Sequence, residues 1–185
     1  MKMLAALAVL AALALAQTPP LQVRASATDA NANAAATLMN HLAGHWTMSG
    51  TLGGKKTIHD VVATWVLKHE YLQIHEVSRE RGADGGPAYE ANITLSWHAS
   101  SGEFMCLWLD NTAGGGLSPD GIARGRLSGA SIPLVFTLSP HESLHTTFAY
   151  TASTDSWRLT IDDVTGNKSE RFGDVLLTRV TPRPI

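Results

Sequence analysis

His141-Glu142-Ser143-Leu144-His145 matches H-E-x-x-H letter for letter. On a helix, that spacing sets two zinc-binding histidines one turn apart, with the glutamate placed to activate water. Ser139 and Pro140 could open such a helix, as cap and first position. The residues that follow argue the other way. Thr146, Thr147, Phe148 and Tyr150 are strand formers. On a strand, His141 and His145 stand about 13 Å apart, too far for one zinc to bridge. Glu170 is the one tempting third ligand. The motif is therefore read as strand, and no zinc is expected.

A second set of residues suits binding rather than reaction. His59, His75 and Asp110 occur among Trp65, Tyr71, Trp97 and Trp108. Strand parity puts His59 and Trp65 on one face, and Tyr71 and His75 on one face of the next segment. If those faces point inward, aromatic walls enclose a few polar groups, the usual make-up of a small-molecule pocket. Asp110 precedes Asn111 and a glycine-rich stretch, which suits a turn residue bonding backbone more than a general base. Cys106 is the sole cysteine and sits between Met105 and Leu107, so it reads as a small buried hydrophobe. No nucleophile elbow, dinucleotide fingerprint or P-loop occurs.

These side chains need elements to hold them, and the clearest is the stretch Tyr89 to Asn111. Tyr89, Ala91, Ile93, Leu95 and Trp97 alternate with Glu90, Asn92, Thr94, Ser96 and His98. That period of two marks a strand with one dry face. Ala99 to Gly102 turn the chain, and Phe104 to Leu109 return as an apolar run. Ten such segments are predicted, near 44–52, 56–67, 70–79, 88–98, 103–110, 119–128, 132–138, 143–151, 156–164 and 170–180. Turn signals separate them and no helix-forming stretch intervenes, so parallel crossovers are ruled out. A short helix over 33–43 precedes them, with Leu38, Met39 and Leu42 on one face and Gly44 as its stop. The expected fold is all-β: an antiparallel up-and-down barrel of about 8–10 strands behind a short N-terminal helix.

The chain ends carry other signals. Met1-Lys2, the apolar run Leu4 to Leu15 and the small-x-small site Ala14-Leu15-Ala16 form a secretory leader over 1–16. Residues 17–33 read as a flexible lead-in, and 34–181 as the barrel domain. A secreted or periplasmic protein is expected, with no stable membrane insertion. The formal charge is −2, or −3 once Lys2 leaves with the leader, and no basic run occurs. That disfavours nucleic acid as a partner. The expected partner is instead a small hydrophobic molecule.

Leu42-Ala43-Gly44-His45-Trp46 after a short helix resembles the Gly-x-Trp opening of lipocalin-like barrels. Trp108-Leu109-Asp110, on a strand beginning at Phe104, is similar to the Trp-x-Asp strand of the DUF1579-type lipocalin-like bacterial proteins. The closing Leu177-Thr178-Arg179 fits the same order, and the resemblance runs from Leu38 to Val180. It implies a calycin-type barrel with a cavity, with Trp46 packed across one end, and it implies no particular reaction. The chain departs from the pattern at Ser96-Trp97-His98, where Gly-Tyr-Asp is common, and at His69, where a glycine is usual. Some ten-stranded barrels of this general class bind haem through a histidine near the closing strands. No histidine follows His145 here, so no haem and no other cofactor is expected. The reading is thus a binding barrel, with an enzyme using His75 or Asp110, or a filled interaction module, as alternatives.

Overall fold

In the computed structural model, residues 27–112 and 116–180 are described. The leader over 1–16 and most of the lead-in lie outside them. One helix, α1 (Ala27–Leu42), precedes ten strands. These are β1 (Gly44–Leu52), β2 (Lys55–Val66), β3 (Tyr71–Ser78), β4 (Glu90–His98), β5 (Glu103–Asp110), β6 (Ile122–Gly125), β7 (Ser131–Ser139), β8 (Glu142–Thr151), β9 (Ser156–Thr165) and β10 (Lys168–Arg179). Each strand pairs antiparallel with its neighbours in sequence, and β1 pairs with β10 to close the barrel. Closure leaves no free sheet edge. The all-β barrel with a short N-terminal helix expected from the sequence is the observed architecture.

The helix starts at Ala27, six residues before the expected position. The segment ATDANANAAA is polar enough to read as lead-in, but alanine is the strongest helix former. Ala35, Leu38, Met39 and Leu42 repeat at helical spacing and are buried against the strand ends. Each of the larger three contributes about 1.5–3 kcal/mol by leaving water. The helix thus plugs one end of the barrel.

Residues from both chain-terminal strands lock that plug. Trp46 is fully buried and donates from Nε1 to the Leu42 carbonyl at 2.8 Å. The Arg179 guanidinium lies 4.0 Å from the Trp46 ring centroid. Its Nη1 and Nη2 donate to the carbonyls of Ala43 and His41 at 3.0 and 2.8 Å. A cation at a helix C-terminus satisfies orphan carbonyls and complements the helix dipole. Gly44 has φ +136°, and a Cβ there would lie 2.3 Å from Arg179 Nη1, so only glycine fits. Trp46 packs across the closed end, as the resemblance implied.

The expected strand over 119–128 is corrected. Pro119–Gly121 form a 3₁₀ turn, with Ser118 Oγ accepting from the Asp120 amide, and only Ile122–Gly125 pair as β6. Proline lacks the ladder donor, and Asp-Gly favours a turn. Gly125 lets β7 approach closely, since a Cβ there would meet the Pro133 carbonyl oxygen at 1.6 Å.

Candidate functional site

The helix covers one barrel end, and the turns after β1, β3, β5, β7 and β9 gather at the other. This far end holds most of the polar side chains buried inside the barrel. On β2, His59 shares the inward phase of Val61 and Ala63 and is only 3% exposed. On β3, Leu72, Ile74, Glu76 and Ser78 point inward, and Glu76 is 4% exposed. The two meet, His59 Nδ1 against Glu76 Oε1. A carboxylate only accepts, so Nδ1 carries the proton and donates it. In the neutral imidazole Nε2 accepts from the Thr57 hydroxyl, which stands at 2.6 Å. Burying a carboxylate demands such partners.

Aromatic rings flank this chain of bonds. Tyr89 stacks on His59, with centroids 5.5 Å apart and planes at 25°. Trp108 Nε1 donates to the Tyr89 hydroxyl at 3.0 Å. Burial, then the charges of Glu76 and Asp110, push the Tyr89 phenol far above its ordinary value, partly opposed by the Trp108 bond. Trp108 meets Phe136 edge-on. Leu52, Leu144 and Ile161 stand half-buried on the strand ends around them. The far end therefore offers apolar surface beside a fixed polar group.

The expected cavity residues are distributed across three places. His59, Trp108 and Asp110 come together at the far end. Asp110 Oδ1 accepts from the Thr112 amide and hydroxyl at 2.8 and 2.6 Å, which makes it a turn residue as well. Trp65 and Trp97 belong to the helix end. Trp65 Nε1 donates to Asn40 Oδ1 of α1 at 2.9 Å and its ring stacks on His69. Trp97 packs edge-on to Phe104, and its Nε1 is buried without a hydrogen-bond partner.

Tyr71 and His75 are corrected. Both face outward, Tyr71 at 40% exposure, because Leu72 and Ile74 claim the interior phase of β3. His75 Nε2 bonds Glu90 Oε1 at 2.7 Å on the outer wall. It borders a shallow outer depression with Val62, Thr64, Gln73 and Asn92. Neither residue lines the interior. Glu76 and Thr57 were missed, although Glu76 follows Leu72 and Ile74 in strict alternation, a carboxylate in an apolar phase. Tyr89 falls on the inward phase of Ala91, Ile93 and Leu95, as the alternation predicts.

The HESLH segment is a turn at Pro140-His141 followed by β8. His145 is exposed and its Nε2 lies 3.1 Å from Ser143 Oγ. No helix presents the two histidines together. Among the described residues, no group of three or more His, Cys, Asp or Glu is placed to hold a metal. Cys106 is buried, and desolvation pushes its thiol up to about 12.

Compared with known proteins, the chain matches no family model and no curated protein sequence. Its fold is similar to the crystal structure of Rv2717c from M. tuberculosis, at 18% identity and a TM-score of 0.53. The match covers 80% of this chain and 98% of that one. The likeness defines the class as a closed all-β barrel.

Proposed function

We propose that this chain is a lipocalin-like binding barrel that takes a small, mostly apolar molecule at the end opposite α1, without transforming it. One observation carries the reading: the half-buried rings of Trp108 and Tyr89 flank a buried, hydrogen-bonded His59–Glu76 pair. Apolar contact supplies affinity and a few fixed polar groups set orientation. The interior toward the helix is filled by Trp46, Trp157, Phe104, Leu72 and Leu95, which favours a short seat near the rim over one deep in the barrel. The Gly-x-Trp opening and the Trp-x-Asp strand support kinship with the DUF1579-type proteins. The leader over 1–16 supports export to the periplasm or beyond.

Titration with the apolar fluorophore anilinonaphthalene sulfonate tests the site. One saturable site per chain is expected, weakened about tenfold or more by Trp108→Ala and unchanged by Tyr71→Ser on the outer wall. Binding that is equal in the wild type and Trp108→Ala would remove the far end as the seat.

A further inference from the structure

Glu76, His59 and Thr57 form a carboxylate–imidazole–hydroxyl series in that order. Glu76 holds Nδ1, and Nε2 lies 2.6 Å from Thr57 Oγ1. Tyr89 stacked on the imidazole restrains its plane. The carboxylate and imidazole are almost fully buried, while Thr57 is half-buried, two residues into β2 beside the Gly53-Gly54 turn. A buried base whose orientation is fixed by an acid, ending on a more accessible hydroxyl, is the arrangement that activates a nucleophile. Roles in such a series are recognised by geometry, not by sequence order. We propose that Thr57 is a reactive hydroxyl, with His59 as its general base and Glu76 as the residue that positions His59, and that it accepts acyl groups from activated esters.

Water is the only further reactant. Thr57 Oγ1 bonds to the ester carbonyl carbon while its proton passes to His59 Nε2. The carbon–alkoxy bond then breaks, and the leaving alcohol takes that proton. Water attacks the resulting threonyl ester with the same base, releasing the acid and restoring the hydroxyl. A secondary hydroxyl is hindered, so the reaction is slow and Thr57→Ser accelerates it. The activity concerns activated esters only, so it stands apart from the carrier reading, whose apolar ligand is left unchanged.

An organic fluorophosphonate is the probe. Oγ1 bonds to phosphorus, the phosphorus–fluorine bond breaks, and fluoride leaves while the proton goes through Nε2 to solvent. Intact-mass measurement followed by peptide mapping should find one adduct on Thr57 of the folded chain. Thr57→Val should abolish it, and Thr57→Ser should form it several-fold faster. His59→Gln should slow it about a hundredfold. Glu76→Gln should slow it and shift its pH profile, which a purely structural role would not do. Thermal melts of each variant, read beside the labelling, separate lost chemistry from lost folding. No adduct on the wild type, an adduct elsewhere, or equal rates in folded His59→Gln would overturn the proposal.

Discussion

At the residue scale, the His59–Glu76 pair is both the candidate site's anchor and a stability risk. Removing one partner leaves the other buried and unsatisfied, which costs about 3–5 kcal/mol. Replacing both by apolar residues of similar size is far milder. Glu76→Leu should therefore lower the urea midpoint sharply, and adding His59→Leu should restore much of it. A double variant no better than the single one would contradict the pairing. Cys106 gives a second prediction. Its buried thiol is raised from the ordinary 9.0 to about 12. A raised folded value means that stability is complete below about pH 9 and is lost as pH rises toward 12. Denaturation across that window should show the decline, and Cys106→Ala should reduce it, the remainder coming from the likewise raised phenol of Tyr89. Glu76 was legible only in part: it shares the phase of Leu72 and Ile74, the more apolar of the two series on β3. The outward series Tyr71, Gln73 and His75 alternates just as regularly, so periodicity alone does not distinguish the two faces.

Among the elements, the connection between β2 and β3 is strained. Leu67, Lys68 and His69 all have positive φ, at 49°, 58° and 65°. Each non-glycine residue there costs about 1–2 kcal/mol, and glycine avoids the clash while losing some of that gain to unfolded-state entropy. Lys68→Gly should raise the melting temperature by a few degrees, a gain of about 0.5–1 kcal/mol. An unchanged or lower value would mean that the turn is not strained. Strand positions were legible because turn dipeptides and period-two runs coincide, as in Gly53-Gly54 between β1 and β2. The helix start was not, because composition suggested a loose tail where alanine propensity and the buried Ala35 face make a helix.

For the whole molecule, several ion pairs add to its acid sensitivity. Asp60, Asp155 and Asp174 bond Arg79, Arg179 and Arg158, and those guanidinium bonds hold all three carboxyls below their ordinary value of 3.8. A depressed folded value means that their contribution is present above about pH 4 and is lost as pH falls through the lower folded values. All are partly exposed, so each is small and screened by salt. The urea midpoint should drop below about pH 4, and less so in the triple variant Asp60→Asn, Asp155→Asn, Asp174→Asn. Barrel closure was legible from ten antiparallel segments with no crossover helix. The direction in which each face points was not, because parity alone fixes which residues travel together and only packing decides which set goes inside.

The central claim is that the far end holds a small organic molecule. Native mass spectrometry of the mature protein, purified from the compartment where it accumulates, tests this directly. A reproducible extra mass of one small apolar compound, lost in Trp108→Ala, is the predicted result. A bare polypeptide mass that no apolar compound shifts, even at saturating concentration, would contradict the binding role and leave a filled barrel.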